Sequence, residues 1–186
     1  KYKVEDKYKV EDKYKVEDQN KIFLESFYKD QAFEYDSFRS RMLHGKRELM
    51  HMLPLKANTS LCVFAGGTGD VLEYIADSIP QLKEICVMDL CDALLAQNTQ
   101  RTQRHGWSNV NTVHGDAHTY CEEGKYDYVI LTYSLTMIPK WEKALDNAIR
   151  SLKPGGYLAI ADFTVNNDIS SFLWKQWFKF DRVHLN

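Results

Sequence analysis

Residues 61–70 read LCVFAGGTGD, an apolar run of strand-forming residues that ends in a glycine-rich loop. A helix-forming stretch, Val71–Ser78, follows directly. In a doubly wound fold the ligand binds where the carboxyl end of a strand passes into a helix, and glycines let the backbone lie flat against it. The segment therefore predicts a strand, a ligand-binding loop and a helix, in that order.

The spacing of the glycines disfavours a dinucleotide as the ligand. The dinucleotide fingerprint requires a glycine three residues after its second one, and that position, counted from Gly69, holds Leu72. Glycine-rich turns also serve plain chain reversal, so the loop alone does not identify its ligand. The residues predicted to contact a cofactor here are Ala65, Gly66, Gly67 and Gly69.

Strand-like and helical runs alternate along the rest of the chain. Strands that recur after helical crossovers lie parallel in one sheet, with helices on both faces. The sequence thus predicts an α/β fold, a doubly wound Rossmann-like parallel sheet of about five strands. The predicted strands are Leu61–Ala65, Ile85–Asp89, Val110–His114, Tyr126–Leu131 and Tyr157–Ala161, with helices near 70–79, 92–104, 140–152 and 169–180.

Two segments precede this core. Residues 1–18 are three copies of KYKVED with little apolar content, which predicts a disordered, solvated extension, although a partner-binding arm has the same composition. Residues 19–54 carry apolar residues at roughly helical spacing up to Pro54, and Gly45 is expected to split them into two helices. We expect an extension (1–18), an N-terminal helical cap (19–54) and a cofactor-binding core (55–186).

Composition narrows the class of partner. The 186 residues include 24 basic and 26 acidic ones, so no field of one sign favours nucleic acid, and a small or neutral substrate is expected. The four cysteines form no CxxC pair, which favours reduced thiols in a cytoplasmic protein. No apolar run approaches the ~20 residues of a membrane span, so membrane contact is expected to be peripheral.

Asp89 ends the second predicted strand, where a carboxylate can accept hydrogen bonds from both ribose hydroxyls of an adenosine. The alternative is that Asp89 caps the helix that follows, a role better left to Asp92. Asp116 and Ala117 follow the third strand, where the carboxylate can accept from an adenine amino group and the alanine leaves room for the ring. A plain surface turn is the alternative for that pair.

The end of the fourth strand supplies hydroxyl groups. Thr132 and Tyr133 are expected over the methyl end of the cofactor, although Tyr133 could equally belong to the core. These residues open the stretch TYSLTMIP at 132–139, and further on residues 152–156 read LKPGG and residues 161–163 read ADF.

Together these stretches resemble the methyltransferase domain of betaine-lipid (diacylglyceryl-trimethylhomoserine) synthase, a class I S-adenosylmethionine-dependent methyltransferase. The resemblance implies S-adenosyl-L-methionine as the cofactor and a lipid amine, the homoserine headgroup, as the substrate. It leaves open whether a separate aminocarboxypropyl-transferase domain is a partner. A methyltransferase of a soluble small molecule and a non-catalytic cofactor-binding relative remain the alternatives.

The resemblance also suggests roles for individual residues. Tyr35 and Arg39 match the family's cap motif and are expected over the methionine end of the cofactor, and Leu90 belongs to the second-strand signature. Methyl transfer from a sulfonium needs no nucleophilic side chain, but the amine must lose its proton. The candidates for accepting that proton are Tyr133, Asp162 and His184.

Two departures from the family pattern affect the expectations. An acidic residue that helps to anchor the cofactor's amino-acid end is replaced by Val63, and a loop glycine is replaced by Ala65. The final strand pair of the methyltransferase fold has no counterpart, so a truncated core is expected. The tail Phe172–Arg182 holds five aromatic and three basic residues, which fits an interfacial segment that seats a lipid. The alternative is that its aromatics merely cover the sheet beside the fifth strand.

Overall fold

The computed structural model describes residues 43–163. Five parallel strands form one sheet in the order β3-β2-β1-β4-β5, with β1 and β4 adjacent at the point where the strand order reverses. This confirms the predicted doubly wound α/β fold. The strands are β1 (Ser60–Phe64), β2 (Glu84–Asp89), β3 (Val110–His114), β4 (Tyr126–Thr132) and β5 (Leu152–Ala161).

Three α-helices accompany the sheet in the described part of the chain: α1 (Lys46–Met52), α2 (Asp92–His105) and α3 (Trp141–Arg150). Gly45, with φ of 88°, directly precedes α1, and the helix predicted before it lies outside the described residues. The strand β5 begins at Leu152 rather than at the predicted Tyr157. The extension 1–18, most of the cap, the predicted helix near 169–180 and the tail lie outside the described residues.

The segment after the glycine loop differs from its prediction as an α-helix. It forms two 3₁₀ segments, Asp70–Ile75 and Ile79–Gln81, with short-range bonds such as Ser78 N–H to Ile75 O at 2.8 Å. Pro80 lies in the first positions of the second segment, where its missing N–H breaks no helical bond.

Alternate residues of β1 enter opposite faces of the sheet. Leu61 and Val63 pack with Met50 of α1 and with the 3₁₀ segments, whereas Cys62 and Phe64 pack with Ala144 and other residues of α3. Both faces are therefore covered. The four cysteines carry free thiols. Among residues 43–163, no helix has the length and apolar character needed to span a bilayer.

Candidate cofactor site

The loop after β1 brings bare backbone to the carboxyl edge of the sheet. A Cβ on Gly66 would lie 2.8 Å from Val87 Cγ1 and 2.9 Å from Val63 Cγ1, so a side chain cannot fit there. Gly67 and Gly69 have φ of 54° and 68°, a left-handed conformation that glycine adopts without strain. Packing against the two valines thus excludes a side chain at Gly66, and the backbone conformation favours glycine at Gly67 and Gly69.

Asp89, the last residue of β2, holds this loop. Its carboxylate accepts hydrogen bonds from Gly67 N–H at 2.8 Å and from Cys91 N–H at 2.9 Å. Its residue exposure is 9%, and burial raises the pKa of Asp89 despite these stabilising bonds. The carboxylate lies beside the glycine loop where the sequence placed it, and its ribose-binding role remains a prediction.

The capping role assigned to Asp92 is wrong. The residue before α2 is Cys91, and its N–H bonds to Asp89, whereas Asp92 is the first helical residue. The Asp92 carboxylate instead contacts His114 Nδ1 at 2.5 Å on the surface. An acidic side chain in the first turn still interacts favourably with the helix dipole.

The loop after β4 is built in a comparable way. Its first residue, Tyr133, has φ of 53°, and Asp162, just beyond β5, accepts bonds from Ser134 N–H at 3.1 Å and Leu135 N–H at 2.8 Å. Asp162 also accepts from Thr136 Oγ1 and from Phe163 N–H, each at 2.8 Å. Four donors thus converge on one carboxylate, an arrangement that fixes the loop and occupies the oxygens expected to accept a substrate proton.

Tyr133 is held as a neutral phenol. Its hydroxyl donates to the His44 carbonyl, and its ring lies 4.9 Å from that of Phe163. Burial, and secondarily the nearby Asp162 carboxylate, raises the pKa of Tyr133. A phenol with a raised pKa and a committed proton is poorly suited to act as a base, so this geometry favours a positioning role over the predicted proton-accepting one.

The loop after β3 contains a histidine that the sequence reading missed. His118 contacts Asp116 Oδ1 through Nδ1 at 2.9 Å, and its Nε2 donates to the Pro139 carbonyl. Asn147 Nδ2 donates to the Ala117 carbonyl at 2.9 Å. The two contacts tie the β3 loop to the segment after β4. Asp116 is therefore engaged by its own loop, and its adenine contact stays a prediction.

The sheet brings most of the predicted site residues to one edge, because parallel strands present their carboxyl ends together. Two features fit an adenosyl cofactor. One is the glycine-rich loop after β1, the glycine cradle. The other is Ser134, a residue that is 5% exposed and whose Oγ has no hydrogen-bond partner within the described range. Tyr35, Arg39 and His184 lie outside the described residues. The predicted residues found at this edge are Ala65, Gly66, Gly67, Gly69, Asp89, Leu90, Asp116, Ala117, Thr132 and Tyr133.

Known proteins with similar sequences are methyltransferases named for quinone biosynthesis. A demethylmenaquinone methyltransferase of Shouchella clausii is 24% identical over 74% of this chain and 59% of its own length. The ubiquinone/menaquinone biosynthesis C-methyltransferase UbiE of Proteus mirabilis is 26% identical over 72% of this chain and 56% of its own length. The chain thus spans less than two thirds of these relatives.

The fold likeness is equally clear. The crystal structure of a putative methyltransferase of Bacillus halodurans superposes with a TM-score of 0.62 at 22% identity, covering 74% of this chain and 58% of that one. These findings confirm the class I methyltransferase fold and S-adenosylmethionine as the cofactor, but they do not show the resemblance to betaine-lipid synthase. Residues 13–182 match the model of the ubiE/COQ5 methyltransferase family, so the chain belongs to that family.

Proposed function

We propose that this chain carries the S-adenosylmethionine-dependent methyl transfer of a small-molecule methyltransferase. The observation that carries the proposal is the pairing of two braced loops at the β1/β4 switch point. One places glycine backbone beside the buried Asp89 carboxylate, and the other holds the buried Ser134 hydroxyl, which has no hydrogen-bond partner among residues 43–163. That combination provides polar groups for an adenosyl ligand and backbone close enough to contact it.

The reaction asks little covalent chemistry of the protein. The sulfonium of S-adenosylmethionine supplies an activated methyl group with its own leaving group. The protein has to hold acceptor and donor in line and keep water away. Asp162 fixes the β4 loop through Ser134 and Leu135, and Tyr133 fixes that loop against the His44 backbone. These side chains position the site rather than move protons.

The acceptor that the relatives favour is a ring carbon of a quinone precursor. This proposal rests on the printed names of the relatives, which include a C-methyltransferase of ubiquinone and menaquinone biosynthesis. The second candidate is the amine of a homoserine lipid, favoured by the TYSLTMIP and LKPGG stretches. The two acceptors differ in the atom that receives the methyl group, so product analysis separates them.

The test has two stages on the full chain. Calorimetric titration with S-adenosylmethionine and S-adenosylhomocysteine measures cofactor binding, and saturable binding of both is expected. Transfer of a tritium-labelled methyl group is then measured to a demethylated menaquinol and to a diacylglyceryl-homoserine lipid in detergent. Label in the quinol alone supports the carbon acceptor, whereas label in the lipid alone supports the amine. Absence of cofactor binding would contradict the proposed function altogether.

A further inference from the structure

A buried lysine lies between the two loops of the site. Lys46, the first residue of α1, places Nζ 2.8 Å from Asp70 Oδ2, immediately beyond Gly69 of the glycine loop. The same Nζ lies 5.9 Å from the ring centroid of Tyr133, which follows β4. The lysine side chain is 9% exposed and the aspartate side chain is 23% exposed. The ammonium group therefore sits beside the junction of the β1 and β4 loops.

Within the described residues, Lys46 is paired with one carboxylate, but its ammonium has more N–H donors than that contact uses. A buried ammonium has three N–H donors and is costly unless they find acceptors. Within residues 43–163, Asp70 supplies the one hydrogen-bond acceptor for Lys46, and the face of Tyr133 adds a weaker cation–π contact. The pair thus has donor capacity left on the lysine and acceptor capacity left on the more exposed carboxylate.

We propose that Lys46 and Asp70 form the subsite for the amino-acid end of S-adenosylmethionine, a deepening that rests on the proposed function. That end is a zwitterion, with a carboxylate and an ammonium on one carbon atom. An adjacent cation and anion complement it, with Lys46 facing the carboxylate and Asp70 facing the ammonium. Asp70 adjoins the glycine loop, so the subsite is continuous with the cradle for the rest of the cofactor.

This assignment accounts for the missing acidic residue in β1. The family pattern has an acid where this chain has Val63, and Val63 is fully buried in the core beneath the glycine loop. No charged group from that position reaches the cofactor. The Lys46–Asp70 pair supplies both charges from outside the strand, with Asp70 a few residues further along the chain.

The test compares three ligands that differ at the amino-acid end. S-adenosylmethionine has both charges, decarboxylated S-adenosylmethionine keeps only the amine, and 5′-methylthioadenosine has neither. Each is titrated by calorimetry into the full chain and into Lys46→Met, Asp70→Asn and the control Arg47→Met, which removes an exposed cation next to Lys46. Thermal unfolding of each variant reports whether its fold is retained.

Loss of one charge-assisted bond changes affinity by at least about tenfold. Lys46→Met should weaken the binding of S-adenosylmethionine by that factor and leave the affinity for the two other ligands within about twofold of the parent's. The exposed control should stay within that range for all three ligands. Asp70→Asn should weaken both amine-bearing ligands but not methylthioadenosine. If Lys46→Met weakens all three ligands alike, or none, the subsite assignment is wrong. If the parent binds none of them, the proposed function itself fails.

Discussion

The loops after β1 and β4 are built on one plan. In each, the residue that leaves the strand adopts a left-handed backbone without being glycine: Ala65 with φ of 46° and Tyr133 with φ of 53°. In each, an aspartate at the end of the outer neighbouring strand accepts the loop's backbone N–H groups. Asp89 serves the β1 loop and Asp162 serves the β4 loop.

The loops differ in what they present. The β1 loop has no side chains at Gly66 and Gly67. The aspartate that braces it, Asp89, is almost wholly buried. The β4 loop carries the side chains of Tyr133, Ser134 and Thr136. The aspartate that braces it, Asp162, is more accessible to water. The same scaffold thus yields a glycine backbone on one side and, on the other, a loop whose Tyr133 and Thr136 hydroxyls are held by hydrogen bonds.

The largest effect is expected from removing the buried brace. Asp89→Ala leaves the N–H groups of Gly67 and Cys91 without their acceptor, at about 1–3 kcal/mol for each unsatisfied group. We expect the free energy of unfolding to fall by about 2–4 kcal/mol, and cofactor affinity to fall by about 1–3 kcal/mol if the ribose role holds. Urea unfolding and calorimetric titration measure the two quantities.

The matched control is Asp92→Ala, which removes an exposed carboxylate from the same strand–helix junction. Its contact with His114 lies on the surface, so a change below about 1 kcal/mol is expected. Equal losses in the two variants would show that Asp89 does not brace the loop.

The buried brace should also make stability depend on pH. Burial raises the pKa of Asp89 above its value in the unfolded chain, so the folded state takes up a proton first as the pH falls. Its contribution is therefore present below the unfolded pKa of about 3.9 and is lost as the pH rises through the folded one. Asp89→Asn cannot titrate, so its stability relative to the parent should rise with pH across this window. The measurement is urea unfolding of Asp89→Asn and of the parent at a series of pH values. If the difference between their free energies of unfolding does not change with pH, the raised pKa is contradicted.

A smaller loss of stability is expected when Asp162, the more accessible of the two aspartates, is removed. Asp162→Ala removes the acceptor for two loop N–H groups and for Thr136, but water can replace part of what is lost. We expect a decrease of about 1–2 kcal/mol in the free energy of unfolding, with faster hydrogen exchange at Ser134 and Leu135. Asp162→Asn keeps one acceptor oxygen and should lose less. If hydrogen exchange at both amides is unchanged in Asp162→Ala, Asp162 does not hold the β4 loop.

The contrast also shows what a sequence can reveal. Continuous apolar runs such as Tyr128–Leu131 predicted the buried strands, and the glycines predicted the loop, because both signals are local. The contact between Asp162 and Ser134 depends on β5 pairing with β4, and the contact between Lys46 and Asp70 depends on how α1 packs. Such pairings join distant parts of the chain and leave no spacing pattern. The capping error at Asp92 has the same origin, because the side chain bonds to His114 from another strand.

The smallest predicted effect concerns the strained residue of the β1 loop. Ala65 has a left-handed backbone, which costs an alanine roughly 1–2 kcal/mol, whereas glycine adopts it freely. Ala65→Gly should relieve that strain but increase the entropy of the unfolded chain, so a net gain of about 1 kcal/mol in the free energy of unfolding is expected.

The control for that substitution is Ala76→Gly, the same chemical change at a right-handed position with φ of −50°. No strain is relieved there, so a loss of about 0.5–1 kcal/mol is expected from the added backbone entropy, and removal of the Ala76 methyl from its packing against the core adds to it. Tyr133→Gly, the counterpart in the β4 loop, should also lose stability, because relief of strain is outweighed by the lost hydroxyl bond to His44 and the ring contact with Phe163. Opposite signs for Ala65→Gly and Tyr133→Gly in urea unfolding would show that the β1 loop is held by its backbone and the β4 loop by its side chains. If Ala65→Gly destabilises as much as Ala76→Gly, the loop carries no strain at Ala65 and that distinction is lost.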